Sequence, residues 1–510
     1  MKTPDIDRDA TWREELRKHK PVKERTSTPR VVMPQLQASY RVTCNDEVNQ
    51  GLSAEQAVVE ASRCLDCPDP QCVTGCPVQI HIPAFVKNIE RGEFAEAARV
   101  LRMTSALPAV CGRVCPQEKQ CESRCIYNKM KKAPVAIGYL ERFAADFARL
   151  ATHDEPASAP APESNGIKVA VIGSGPAGLS FAGQMASHGY AVTVFEALHE
   201  IGGVLKYGIP EFRLPNSVVE AEIDALRAAG VGFVKDCVVG KTLSYDDLHE
   251  MGFDGIFVGS GAGLPRFMGI PGENYIGVMS SNEYLTRINL MGAGRPGEDT
   301  PVLKGHSVAV VGGGNTAMDS VRTARRQGAE RVMIVYRRSE SEMPADKAEI
   351  EEALEEGVRF EFLSAPVAVL GEQSATALKI EKMTLGEPDE KGRRKPVGTG
   401  EFSELSADSV IAAVGQTVDW GGLDTGMLQK SIKNLAFADS FTYQTAQPDI
   451  FVAGDVFTGP KFAIDAIAGG KQAAISLHRY AWGHNLVTGR DRHEYKFIDK
   501  DNVGACSYDT

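Results

Sequence analysis

Residues 168–197 read KVAVIGSGPAGLSFAGQMASHGYAVTVFEA and form one complete β-α-β pattern. An apolar run of strand type leads into a glycine-rich turn, a helical stretch follows, and a second apolar run closes the pattern. Gly173 permits the tight turn, Gly175 lets a pyrophosphate approach the backbone, and Gly178 lets the helix lie close to the strand. Glu196 ends the second run, where an acid binds ribose hydroxyls. The stretch predicts a Rossmann-like domain with a dinucleotide at the helix N-terminus; the alternative is a purely structural glycine turn.

Residues 306–338, HSVAVVGGGNTAMDSVRTARRQGAERVMIVYRR, repeat the same plan, so two parallel sheets are predicted. The turn has the related GxGxxA form, and its candidate nucleotide-binding residues are Gly312, Gly314, Asn315 and Thr316. The second strand ends in Arg337 and Arg338 instead of an acid. Because a guanidinium suits a 2′-phosphate by charge and donor geometry, this end predicts NADP(H) rather than NAD(H). The alternative is that both arginines are simply solvated at the end of a strand.

Two dinucleotide folds in one chain indicate two dinucleotides, a flavin and a nicotinamide. Near the other end of the chain, residues 448–474 read PDIFVAGDVFTGPKFAIDAIAGGKQAA, a strand, the pair Gly454 and Asp455, and a helical stretch. This segment resembles the part of two-dinucleotide-binding flavoproteins that returns to the flavin domain. The resemblance implies that Asp455 holds the ribityl chain of FAD and that the nicotinamide domain is an insertion in the flavin domain. The run SVIAAVGQT (409–417) resembles the strand that leads out of that insertion.

Eight of the eleven cysteines lie in two short windows, CLDCPDPQCVTGC (64–76) and CGRVCPQEKQCESRC (111–125). The first residues do not form a signal peptide, and no apolar run reaches the ~18 residues of a membrane helix, so a cytoplasmic protein is predicted. Disulfides rarely persist there, and clustered thiols indicate metal ligands or redox centres. The spacing, with proline after two of the cysteines, favours 4Fe–4S clusters; zinc is the alternative. The isolated Cys44, Cys237 and Cys506 are interpreted as core or exposed thiols.

Further motifs resemble one family, which includes the glutamate synthase small subunit, the large subunit of NADH-dependent ferredoxin:NADP oxidoreductase and the N-terminal half of dihydropyrimidine dehydrogenase. The motifs that carry this resemblance are CPV followed by IPAF, PAVCGRVCPQEKQCESRC, VAIGYLERF, GGVLKYGIPEFRLP and VYRRSESEMPA. The fourth of them adds Gly203 to the expected FAD-binding residues. The resemblance covers about residues 50–480, and the spacing in GAGLPRFMGIPGE (261–273) favours the electron-bifurcating transhydrogenase type.

The resemblance implies a crossed set of cluster ligands. One cluster takes Cys64, Cys67, Cys72 and Cys125. The other takes Cys76, Cys115 and Cys121, with Glu141 of the LERF motif as its fourth ligand and Cys111 left over. Sequence order alone would instead give four cysteines to each cluster, and Glu141 could also be an ordinary exposed acid of a helix.

The length of the chain and the changes in composition along it predict the domain organisation. A chain of 510 residues is too long for one core. A net charge of −11 argues against nucleic-acid or anionic-lipid partners. The region 152–166 is rich in Ala, Pro and Ser, which predicts a linker across which little packing occurs. The predicted units are a mobile N-terminal arm (1–40), a helical domain with two 4Fe–4S clusters (41–151), the linker (152–166), the first part of the FAD domain (167–295), the NADPH domain (296–417), the second part of the FAD domain (418–480) and a C-terminal extension (481–510).

These features predict an α/β flavoprotein oxidoreductase, with hydride exchange between NADPH and FAD and single electrons carried by the clusters. No second active-site domain is evident, so the chain is predicted to be one subunit of a complex with other redox proteins. The first hypothesis is a transhydrogenase or ferredoxin:NADP oxidoreductase subunit, with ferredoxin as one partner. The alternatives are a glutamate synthase small subunit, an electron-input subunit of dihydropyrimidine dehydrogenase type, and a non-redox zinc scaffold.

Overall fold

The computed structural model describes residues 6–151 and 162–491, apart from 296, 303, 390–391 and 425–427. Most of the predicted linker, most of the C-terminal extension and Cys506 lie outside the described residues. Among the residues that are described, no helix combines the length and the apolar character that a bilayer crossing requires.

The chain before the linker is helical. A capping box between Ser53 and Gln56 starts one helix, and Pro83 stands in the first turn of another, where its missing N–H costs no hydrogen bond. Short 3₁₀ turns join the cysteine-bearing loops. The helices are α1 (Thr11–His19), α2 (Val22–Ser27), α3 (Ala38–Arg41), α4 (Ala54–Ala61), α5 (Gln71–Thr74), α6 (Ile82–Glu90), α7 (Phe94–Arg102), α8 (Pro108–Val114) and α9 (Ile137–Ala151).

The N-terminal arm differs from the prediction of a mobile segment. Arg13, Arg25 and Arg41 are each only 2% exposed and form ion pairs with carboxylates on other parts of the chain. Arg41 reaches Glu356 of the second dinucleotide domain, with Nε–Oε1 at 2.8 Å. Because a buried guanidinium is costly without its partner, these pairs hold residues 6–41 against the rest of the molecule. The expectation of mobility is therefore wrong for the described part of the arm.

The remaining elements follow in chain order. The helices are α10 (Pro176–Ser187), α11 (Val204–Tyr207), α12 (Asn216–Ala228), α13 (Tyr245–Glu250), α14 (Ser281–Asn289), α15 (Asn315–Arg326), α16 (Lys347–Glu355), α17 (Asp455–Thr458) and α18 (Ala463–Ala481). The strands are β1 (Lys168–Ile172), β2 (Ala191–Phe195), β3 (Gly232–Val234), β4 (Gly255–Val258), β5 (Leu264–Pro265), β6 (Val278–Ser280), β7 (Ser307–Val311), β8 (Arg331–Tyr336), β9 (Arg359–Phe362), β10 (Ser364–Gly371), β11 (Ala375–Pro388), β12 (Arg394–Ser406), β13 (Ser409–Ala412), β14 (Gln416–Thr417) and β15 (Ile450–Val452).

Two parallel sheets form the two dinucleotide domains. The first has the order β15-β4-β1-β2-β3, and β1 pairs with β2 in register from Lys168 and Ala191 onward. The second has the order β6-β13-β7-β8-β9. The chain leaves the first sheet after β4 and returns to it only at β15, so the predicted insertion of one domain in the other is confirmed. The short antiparallel pair β5–β14 is formed by the two segments through which the chain passes from the first domain to the second and returns.

The second domain departs from the prediction in two respects. It begins before residue 296, because β6 already belongs to its sheet. It also carries an antiparallel sheet, β10-β11-β12, which the two β-α-β patterns did not predict.

The helical domain packs tightly against the first dinucleotide domain, and the two share one apolar core. Polar contacts cross the boundary as well. The amide of Val48 donates to the carbonyl of Phe212 at 2.9 Å. Lys471 Nζ on α18 donates to the carbonyl oxygens of Val78 (3.2 Å) and Thr104 (3.1 Å). The expectation that little packing crosses the linker is wrong, because helices on both sides contribute to the same core.

Candidate functional site

The three glycines of the first turn have different surroundings. Gly173 has φ +97°, and an added Cβ would lie 2.6 Å from the carbonyl oxygen of Gly259. A Cβ on Gly178 would collide with the carbonyl oxygen of Gly173. A Cβ on Gly175 would instead meet nothing within 4 Å. The first and third glycines therefore serve close packing, while the second faces open space at the N-terminus of α10.

That open space is a cavity of about 720 Å³, which we call the long cavity. Gly175, Glu196, Gly203 and Gly454 are among the residues that line it. Gly203 has φ +55°, and an added Cβ would lie 2.9 Å from Cα of Gly175. The glycines thus leave one stretch of this cavity lined by backbone, as an extended diphosphate requires.

Two carboxylates stand in the wall of the long cavity. Glu196 is buried, and its oxygens accept from the amides of Ser174 (2.8 Å) and Leu198 (2.9 Å). Asp455 begins α17 and accepts from the amide of Lys461 at 3.2 Å. Burial raises the pKa of Asp455 to about 6. Asp455 therefore remains an acceptor at neutral pH, and carboxylate oxygens are the acceptors that ribose and ribityl hydroxyls need. This donor and acceptor set fits FAD.

The second turn repeats the arrangement. Gly312 has φ +149°, and a Cβ there would collide with the carbonyl oxygen of Ala413. A Cβ on Gly314 would meet nothing within 4 Å. Asn315 Oδ1 accepts from the amide of Asp346 at 2.9 Å, which ties the turn to the loop before α16. Gly314, Asn315 and Thr316 line a second cavity of about 570 Å³, the short cavity.

Arg337 and Arg338 follow directly after β8, at the edge of the sheet where the second turn lies. Arg337 is exposed and Arg338 half-buried. The ring of Tyr336 lies beside Gly313, since a Cβ on this glycine would come 2.5 Å from the ring. Within the described part of the chain neither guanidinium forms an ion pair, and neither lines the two cavities.

The two cavities share a wall, and this wall contains residues from both dinucleotide domains. The sequence motifs assigned no role to most of these residues, because their side chains have no phosphate- or metal-binding pattern. The shared lining residues are Val204, Tyr207, Asn282, Gly314, Thr316, Gln416, Pro460, Lys461, Phe462 and Ala463. Tyr207 lies within the motif GGVLKYGIPEFRLP, but the sequence alone assigns it no role.

Four cysteines from the two sequence windows form what we call the outer thiol group: Cys64, Cys67, Cys72 and Cys125. All four are partly exposed. Burial raises the pKa of Cys72, and the thiols of Cys64, Cys125 and Cys67 raise it further. Burial also raises the pKa of Cys67, with Cys125 as the next cause. The structure thus places Cys125 with the first cysteine window rather than with its own.

The inner thiol group consists of Cys76, Cys115 and Cys121 with Cys111 and Glu141 beside them. After burial, Glu141 and Cys111 are among the groups that raise the pKa of Cys76. Cys111 and Glu141 also raise the pKa of Cys115. Val114, the neighbour of Cys115, lines the short cavity. One chain neighbour of the inner group therefore reaches the wall of that cavity.

Glu141 is a buried carboxylate with an unsatisfied oxygen. Its side chain is in α9, it is 3% exposed, and among the described residues its Oε1 accepts no hydrogen bond. Burial raises its pKa to about 8. An exposed helical acid, the alternative interpretation, is thereby excluded. An orphaned buried oxygen beside thiols fits a metal ligand.

The described residues do not bring three potential ligands together closely enough to hold a single metal ion. A 4Fe–4S cluster binds each ligand through a different iron and therefore needs them spread around it. Both thiol groups fit that arrangement by composition and burial.

Two regions of the chain match models of known protein families. Residues 41–153 match the family model described as dihydropyrimidine dehydrogenase domain II, 4Fe-4S cluster. Residues 167–470 match the model described as pyridine nucleotide-disulphide oxidoreductase. The boundary between the two models falls at the region that the sequence predicted as a linker.

Three individual proteins illustrate the similarity. The small chain of glutamate synthase [NADPH] from Halomonas elongata is 37% identical over 85% of this chain and 93% of its own length. Subunit beta of the NADP(+)-dependent formate dehydrogenase from Moorella thermoacetica is 36% identical over 88% of this chain; this chain spans 64% of that subunit. FprA from Mycobacterium tuberculosis, solved in complex with NADPH, superimposes with a TM-score of 0.53 at 19% identity, over 62% of this chain and 85% of FprA, a likeness of fold.

Proposed function

We propose, on the premise that this chain belongs to the pyridine nucleotide-disulphide oxidoreductase family, that it carries electrons between NADPH and partner proteins through FAD and two 4Fe–4S clusters. The chain is an oxidoreductase with FAD- and NADP-binding domains and an iron–sulfur domain before them.

One observation carries the proposal: the long and the short cavity share a wall. Gly175 and Asp455 from the first domain and Gly314 and Thr316 from the second all line the long cavity. Two cofactors held on these turns would meet at that wall without a protein layer between them. Direct hydride transfer needs such contact, since a hydride does not travel through side chains.

The chain's own residues bind and orient the cofactors. Gly175 and Gly314 leave room for a diphosphate at the N-termini of α10 and α15. Glu196 accepts hydroxyl hydrogens of the FAD ribose, and Asp455 accepts those of the ribityl chain. When bound, FAD takes a hydride from NADPH and the clusters carry its electrons singly. No acid or base of the chain is required for this transfer.

We assign the cluster ligands from the two thiol groups. The outer cluster takes Cys64, Cys67, Cys72 and Cys125. The inner cluster takes Cys76, Cys115 and Cys121, with Glu141 as its fourth ligand because its buried Oε1 accepts no hydrogen bond within the described part of the chain. The inner group lies beside the short cavity through Val114, and the outer group is nearer the surface. With both clusters held in this way, they would supply a relay for single electrons between the flavin and a partner.

The partner is proposed to be a redox subunit of a transhydrogenase or ferredoxin:NADP oxidoreductase complex. A glutamate synthase partner is the second candidate, favoured because the Halomonas small chain matches over 93% of its length. Purification from the native source under anaerobic conditions distinguishes them. Co-purification of a large glutamine-using subunit would support the second, and co-purification of further flavin or iron–sulfur subunits the first.

Metal and flavin analysis tests the route itself. The purified chain should bind FAD and about eight irons, and NADPH should bleach its flavin absorbance under anaerobic conditions. A colourless protein with stoichiometric zinc would overturn the proposal.

We expect the double variant Arg337→Gln/Arg338→Gln to lose its preference for NADPH. A charged contact to the 2′-phosphate contributes about 1.5–3 kcal/mol, so the Kd for NADPH should rise about ten- to a hundredfold. The Kd for NADH should change little, because NADH lacks that phosphate. Titration of flavin bleaching by each nucleotide measures both values.

Arg331→Gln is the matched control, since Arg331 is an exposed arginine at the opposite end of β8. It should leave both affinities unchanged. Equal weakening of NADPH and NADH in the double variant would show that the arginines bind something other than the 2′-phosphate.

A further inference from the structure

Asp66 lies between two ligands of the proposed outer cluster, Cys64 and Cys67, and is held in an unusual state. It is completely buried and has φ +52°, the left-handed region that a residue other than glycine rarely adopts. Such backbone needs support from its surroundings.

That support comes from the N-terminal arm. Arg13 and Arg17 on α1 both form ion pairs with the carboxylate of Asp66, the second with Nη1–Oδ2 at 2.6 Å. Arg8 Nε donates to the backbone carbonyl of Asp66 at 2.9 Å. The loop that carries Cys64, Asp66 and Cys67 is called the ligand loop. Three guanidinium groups therefore contact one residue of this loop, and all three belong to residues 8–17.

Two further cations contact Cys64 itself. Lys87 Nζ donates to the carbonyl oxygen of Cys64 at 2.6 Å, and Arg25 Nη1 approaches the same oxygen at 3.4 Å. Both are buried, and Glu90 pairs with both. The ligand loop of the outer group is thus contacted by five cations. Against them stand the carboxylates of Asp66 and Glu90, and the exposed Asp9, which pairs with Arg8.

The inner thiol group has a different charge environment. The buried side chain of Glu141 on α9 lies beside all three of its thiols. Lys471 lies near Cys76, and Glu122 near Cys121. Glu122 is paired with Arg30 (Nη1–Oε2 2.7 Å), so Lys471 is the cation named near this group, against five at the loop of the outer group.

We propose that Arg8, Arg13 and Arg17 are positioning residues that raise the reduction potential of the outer cluster above that of the inner one. This inference rests on the ligand assignment given under Proposed function. Reduction adds negative charge to a cluster, and nearby cations stabilise the more negative state, most strongly where water is excluded. The outer cluster, nearer the surface, then receives the electron that a partner takes.

The test is a redox titration of the whole chain, followed by electron paramagnetic resonance of each reduced cluster. The outer signal is identified as the one missing in Cys125→Ser. In the unaltered chain it should have the higher midpoint potential. Arg17→Gln should shift the reduction equilibrium of the outer cluster about tenfold towards the oxidised form, which is about 59 mV for one electron. The inner signal should not move.

Two variants of the same helix complete the test. Lys18→Gln removes a charge from an exposed side chain that does not contact Asp66, and should change neither potential. Arg17→Lys keeps the charge, so the midpoint potential of the outer cluster should stay close to that of the unaltered chain. If the guanidinium had only a structural role, lysine would not preserve the potential.

If Arg17→Gln loses iron, Arg8→Gln replaces it, since Arg8 contacts only the carbonyl of Asp66 in that loop. Full iron content with an unchanged outer potential, or equal shifts of both clusters, overturns the inference and leaves the proposed function intact. If the unaltered chain shows fewer than two iron–sulfur signals, the proposed function is overturned instead.

Discussion

Gly175→Val should yield a folded protein that has lost its FAD. Any Cβ at this position points into the long cavity, where nothing of the protein lies within 4 Å. The valine therefore causes no clash within the protein and instead occupies the space of the diphosphate. Flavin absorbance after purification should fall to the background level, and circular dichroism should remain unchanged.

Gly232→Val is the matched control. Gly232 is exposed in β3, and an added Cβ there would meet only ordinary contacts, the nearest being the carbonyl oxygen of Val192 at 3.6 Å. Valine is also favoured in a strand. This variant should keep full flavin. Retention of FAD by Gly175→Val, or loss by both variants, would contradict the placement of the cofactor.

Cys125→Ser should remove one cluster, the one assigned to Cys64, Cys67 and Cys72. About four of about eight irons should be lost, because a serine hydroxyl is a poor substitute for a thiolate. The second cluster should keep its signal, since its ligands come from other positions. Iron analysis together with the reduced-state resonance spectra measures both effects.

Two further variants decide between the crossed ligands and an assignment in sequence order. Glu141→Ala should damage the inner cluster, while Cys111→Ser should leave both clusters in place. Cys44→Ser, at an isolated thiol outside both groups, serves as the control. Loss of a cluster in Cys111→Ser with full iron in Glu141→Ala would show that sequence order determines the ligands.

Much of the fold follows from local patterns. The glycine turns at residues 173–178 and 312–317 specify their own conformation, because backbone approach to a phosphate and positive φ require glycine at fixed spacing. The same two units predicted two parallel sheets, and the return segment around Asp455 predicted the insertion of one domain in the other. The comparisons confirm the family that the motifs indicated.

Long-range contacts were decided by the tertiary structure alone. The arm was predicted to be mobile because its sequence is polar, yet Arg13, Arg17, Arg25 and Arg41 pair with buried carboxylates 49 or more residues away, such as Asp66 from Arg17. The grouping of Cys125 with the first cysteine window also depends on how the loops fold together. A sequence shows which residues have the chemistry to bind a cofactor. Which charges and thiols meet is determined by packing between distant segments, and local spacing does not contain that information.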